Sequence, residues 1–152
     1  MAGAMPRSVA IAVDDFLDNC GNIQPGQHVV IVAALDGLYG GVNVVDEQTV
    51  NWLQTAVQQR RAYASVLWVD MPIRPDLIWA GGSGKVEGWR VPRVLRGALS
   101  AADAFINLCV DLSFEEEIKE VRDICAEFNV PMLRNMATTA PLMASTWAQT
   151  PY

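Results

Sequence analysis

The chain has 152 residues and a formal net charge of −6, with 51% apolar and 18% charged residues. This length is typical of one domain with a normal hydrophobic core, and the apolar content argues against a disordered chain. The negative charge argues against a nucleic-acid partner, because phosphate binding requires a positive patch. No segment approaches the roughly 20 apolar residues that a membrane-spanning helix requires, so we also expect no membrane partner.

The first half of the chain predicts two helices and two strands. Residues Ser8–Cys20 predict an amphipathic helix, and a Pro-Gly turn follows it. The continuous apolar, β-branched run His28–Leu35 is typical of a strand that is covered on both faces. A second helix is expected to begin near Asp46, and the apolar run Ala64–Met71 predicts the second strand.

The second half begins irregularly and then returns to a regular pattern. Prolines and glycines break any periodicity in Pro72–Trp89, so we interpret this stretch as a loop. Helical spacing returns in Val91–Ala102, and Ala104–Val110 predicts the third strand. Ser113 and Glu116 have the spacing of a capping box that starts a helix ending near residue 129. The apolar stripe of this helix is expected to consist of Ile118, Val121, Ile124, Cys125 and Phe128.

This alternation of strands and helices predicts the fold class. We expect one α/β domain over residues 1–152, with a mainly parallel, doubly wound, Rossmann-like sheet and helices on both faces. The predicted parallel strands lie near Val29–Leu35, Ser65–Val69, Phe105–Cys109 and Pro131–Leu133.

Polar residues follow the predicted strands at the sheet edge where ligands bind in parallel α/β folds. The candidate substrate-binding residues are Asp36, Arg134, Asn135, Thr138 and Thr139. Arginine suits such a site because its planar guanidinium binds carboxylates through two hydrogen bonds. Asp70 and Asp111 follow strands two and three, but aspartate also caps helices and turns, so both interpretations stay open.

The familiar catalytic and phosphate-binding motifs do not fit this sequence. Gly81–Lys85 reads GGSGK, but Trp79 stands where a phosphate loop needs glycine and Val86 where it needs Ser or Thr. The glycines after the first strand do not form a dinucleotide fingerprint either. The small cationic cluster Arg90, Arg93 and Arg96 has helical spacing, which favours a solvated helix face over a phosphate site.

The histidine and cysteine content leaves little material for a catalytic or metal centre. His28 is the only histidine, and it precedes the first strand at the end away from the expected ligand edge. Cys20, Cys109 and Cys125 match no metal-binding spacing, and we interpret them as thiols of a protein in the reducing cytoplasm. The sequence therefore predicts no catalytic residue and no metal ligand within this chain.

Two parts of the chain, one near its start and one at its end, resemble a known family. NIQPGQHVVIVAALDG (Asn22–Gly37) resembles the entry to the first strand of the aminopeptidase T group, which are metal-dependent, leucyl aminopeptidase-like proteins. The segments Ala102–Glu117 and Val130–Tyr152 are similar to the branch of that group that includes 2,5-dihydroxypyridine 5,6-dioxygenase. The likeness covers most of the chain in the order of its elements, but it is specific only at these places.

The resemblance implies a role within a larger metalloenzyme. Members of the group have an α/β domain followed by a second domain that holds the divalent metal, which is iron in the dioxygenases. We therefore expect the chain to be the N-terminal domain or a subunit of an aminopeptidase-like hydrolase or a ring-cleaving dioxygenase. It would wall the cleft of a small-molecule substrate, while Zn, Co, Mn or Fe is held by a further domain or a partner chain. A homo-oligomer is also expected.

A different class of function fits the same sequence. The chain could be a complete, non-catalytic module that binds a partner protein, with Trp147 and Tyr152 as interface anchors. Ordinary packing of a terminal helix is the plainer interpretation of these two aromatic residues. A coding sequence that continues past Tyr152 would favour the enzyme domain, and a stop codon there would favour the module or a split enzyme.

Overall fold

The computed structural model describes residues 4–33, 47–69, 91–109 and 115–133, with only the backbone of residues 115–117. The elements are α1 (Arg7–Asp15), β1 (His28–Ala33), α2 (Glu47–Gln59), β2 (Tyr63–Trp68), α3 (Arg93–Leu99), β3 (Ala104–Asn107), α4 (Glu115–Phe128) and β4 (Met132–Leu133). A π-helical segment, Phe16–Cys20, continues α1. The predicted loop Pro72–Trp89, the cap Asp46 and the capping residue Ser113 lie outside the described residues.

The four strands form one sheet in the order β2-β1-β3-β4, and every neighbouring pair is parallel. The predicted parallel α/β fold is therefore confirmed, and each predicted strand overlaps an observed one. In the register, Val32 pairs with Leu67 on one side and with Asn107 on the other. β1 is central, and its five residues after His28 are all buried, as a strand between two helical layers requires.

One helical layer consists of α1, its π-helical continuation and α2. Val29, Ile31 and Ala33 point to this side from β1, because alternate residues of a strand share a face. They pack with apolar side chains of the two helices, among them Val9, Val13, Leu17, Val50, Leu53 and Val57. The amphipathic pattern of both helices is thus explained by a single buried face.

The other helical layer consists of α3 and α4. Val30, Val32 and Phe105 point to this side of the sheet and pack with Leu95, Leu99, Val121, Ile124 and Cys125. The apolar stripe predicted for α4 is confirmed, since its first four members are buried and Phe128 is half-buried. The helices therefore cover both faces of the sheet, which makes the fold doubly wound.

No helix in the described part of the chain is long and apolar enough to cross a membrane.

Candidate functional site

The strand order reverses its direction between β1 and β3, and this position is the topological switch point of the sheet. The connection from β1 to β2 runs through α2 on one face, while α3, which precedes β3, packs on the other face. Connections that leave in opposite directions open a crevice at the carboxyl ends of the two strands, where open α/β sheets bind ligands. The ladder continues to this edge, because the Leu108 amide donates to the Val32 carbonyl at 2.9 Å.

Asn107 is the last residue of β3 and lies at this switch point. Its side chain is buried, with only 3% of the residue exposed. The Oδ1 atom accepts a hydrogen bond from the Cys109 amide at 3.0 Å, which fixes the orientation of the side chain. The Nδ2 atom has no hydrogen-bond partner among the described residues. A buried donor without a partner costs about 1–3 kcal/mol, so this amide is poised to donate to a further group.

Asn107 has apolar neighbours across the ladder and along the chain. Val32 is its partner across the ladder, and Leu108 and Cys109 are each 1% exposed. In such surroundings the local dielectric constant is low, which strengthens any hydrogen bond that the amide makes. The site can therefore hold a carbonyl, carboxylate or hydroxyl oxygen at a defined position.

The five residues predicted to bind substrate all lie outside the described residues: Asp36, Arg134, Asn135, Thr138 and Thr139. Asp70 and Asp111 do as well, so both interpretations of these two aspartates stay open. Arg134 follows the last residue of β4, and β4 lies two strands from β1, which is about 10 Å. Asn107 belongs to the strand between them.

The described residues 4–33, 47–69, 91–109 and 115–133 contain few candidate metal ligands. Within them, no group of three His, Cys, Asp or Glu side chains gathers to hold an ion. His28 is exposed at the first residue of β1, at the edge opposite the switch point, and its ring stacks on Tyr63 with centroids 4.7 Å apart. The described residues thus do not fit the divalent metal that the family resemblance implies.

The cysteines are thiols, and none takes part in a disulfide. Cys20 is exposed, while Cys109 and Cys125 are buried. Burial raises the pKa of the Cys125 thiol, because the charged thiolate is poorly solvated in the apolar layer. Cys125 is therefore not an activated nucleophile.

A second concave surface lies between α3 and α4. This groove of about 400 Å³ is lined by both helices, including Arg93, Arg96, Asp123 and Glu127. The Arg96 guanidinium forms an ion pair with the Glu127 carboxylate. It also lies over the Phe128 ring, with Cζ 5.3 Å from the ring centroid. Arg93 and Arg96 are exposed, which confirms the predicted solvated helix face for those two residues. None of the polar residues that line the groove is buried.

The chain matches no family model and no curated protein. Sequence reasoning missed Asn107, although the signal was present: it is the only polar residue in the apolar run AFINLCV. A lone amide in a strand that is buried on both faces needs a hydrogen-bond partner, and that requirement could have identified it.

Proposed function

We propose that this α/β domain walls the substrate cleft of a metal-dependent enzyme that acts on a small molecule. The substrate lies at the carboxyl edge of the sheet, over the switch point between β1 and β3. The metal is held by a further domain or a partner chain, and it supplies Lewis-acid or oxygen chemistry when bound. The reduced thiols suit a cytoplasmic enzyme.

One observation carries this proposal: the buried Nδ2 donor of Asn107 points to a missing acceptor at the place where parallel sheets bind ligands. A site with a buried donor discriminates strongly against molecules that cannot accept its hydrogen bond. The substrate class is therefore a small, partly apolar molecule with an acceptor oxygen. Asp36, Arg134, Asn135, Thr138 and Thr139 complete the cleft in this proposal and bind the polar remainder of the substrate.

The reaction class follows from the family resemblance and divides into two candidates. An aminopeptidase-like hydrolase would present a peptide carbonyl or carboxylate to the Asn107 amide. A ring-cleaving dioxygenase would present a ring oxygen of a hydroxylated pyridine. In both, Asn107 orients the substrate and transfers no proton, because an amide side chain does not titrate in the working pH range.

The test is a binding screen of the 152-residue chain by isothermal titration calorimetry. The panel contains leucine amide, short dipeptides and dihydroxypyridines, together with toluene and methylcyclohexane as compounds of similar size that lack an acceptor oxygen. We expect one of two classes to bind: either leucine amide and the dipeptides, or the dihydroxypyridines. Asn107→Asp should weaken that binding by about tenfold or more, since it replaces the donor by an acceptor. Which class binds decides between the hydrolase and the dioxygenase.

Matched variants separate the loss of the donor from a loss of folding. Asn51→Asp makes the same chemical change on α2, on the far side of the sheet, and should leave binding unchanged. Asn107→Ala removes the donor without adding a charge and should weaken binding as Asn107→Asp does. Tight binding that persists in both Asn107 variants would contradict the proposed site.

A second class of function, a non-catalytic module that binds a protein, has one observation in its favour. The β2 strand carries exposed aromatic side chains, with Tyr63 60% and Trp68 42% exposed. The two interface anchors that the sequence suggests lie outside the described part of the chain: Trp147 and Tyr152. A chain that binds no member of the small-molecule panel would favour this second function.

A further inference from the structure

We draw no further inference here: the strongest candidate, the groove between α3 and α4 that is lined by Arg93, Arg96, Asp123 and Glu127, carries nothing, because all of its charged side chains are exposed and nothing in the described part of the structure shows what covers it.

Discussion

His28 and Asp103 are joined by hydrogen bonds in both directions. The His28 amide donates to Oδ2 of Asp103 at 2.8 Å, and the Asp103 amide donates to the His28 carbonyl at 2.7 Å. The pair ties the first residue of β1 to the residue that precedes β3. Because these two strands flank the switch point, the contact at one end of the sheet fixes the register that places Asn107 at the other end.

Removing the Asp103 carboxylate should destabilise the domain. Asp103→Ala leaves the His28 amide without its charged acceptor, and we expect a loss of about 1–2 kcal/mol in the free energy of unfolding. Asp103→Asn keeps an acceptor oxygen at the same position and should lose less than half as much. Urea unfolding followed by circular dichroism measures both, and equal losses would show that the hydrogen bond to His28 contributes nothing.

Arg60 should contribute to stability through contacts between α1 and the end of α2. Its Nη2 atom lies 2.8 Å from Asp14, its Nε atom 2.7 Å from Asp18, and its Nη1 atom donates to the Ala56 carbonyl. Burial would lower the pKa of Arg60, but hydrogen bonds to Asp18 and Asp14 outweigh it and leave the pKa raised. The arginine is thus charged at every working pH.

Arg60→Met should therefore cost about 1–2 kcal/mol of unfolding free energy, with the lower value favoured because both aspartates are more than half exposed. Part of that cost should disappear at about 1 M salt, where exposed charges are screened. The neighbouring Arg61 is exposed and has no described side-chain partner, so Arg61→Met is the matched control and should change stability by less than about 0.5 kcal/mol. Equal effects of the two variants would contradict the assignment.

The three thiols should differ in reactivity. Cys20 is exposed and should react with Ellman's reagent first, whereas the buried Cys109 and Cys125 should react only as the protein opens. Cys20→Ser should remove the fast phase completely. A fast phase that survives in this variant would show that a buried thiol is accessible.

Alkaline pH should weaken the fold through Cys125. Burial raises its pKa in the folded state, so the unfolded chain loses this proton first as the pH rises. Stability due to the protonated thiol is complete below the ordinary thiol pKa of about 8.5 and declines above it. Cys125→Ala should make the unfolding free energy fall less steeply with pH in that range. An unchanged slope would indicate that Cys125 ionises alike in both states.

The fold was largely predictable because its main signals are local. The β-branched run of β1 and the three- and four-residue spacing in α4 report burial directly, since a strand or helix buries a face set by its own geometry. Bounds differ by a few residues. For example, β2 begins at Tyr63 and not at Ser65. Pairing with β1 extends the strand to residues whose own sequence pattern is ambiguous.

The candidate site was less predictable because it depends on strand order and long-range contacts. Nothing local in YASVLW indicates that β2 lies at the edge of the described sheet. Arg60 and Asp14 are 46 positions apart, so their ion pair follows from the packing of α1 on α2. The role of Asn107 likewise depends on the neighbouring strands, which bury its amide without giving Nδ2 a described partner.

The most direct test of the central claim is an NMR titration that follows the Asn107 side-chain amide. The ligand is the tightest-binding member of the small-molecule panel, and assignment by Asn107→Asp identifies the two Nδ2 proton resonances. We predict that these resonances move downfield as a hydrogen bond forms, with the same dissociation constant that calorimetry gives. The Leu108 and Cys109 backbone amides should shift with them. Resonances that stay in place while the ligand binds would contradict the claim that the substrate lies at this edge of the sheet.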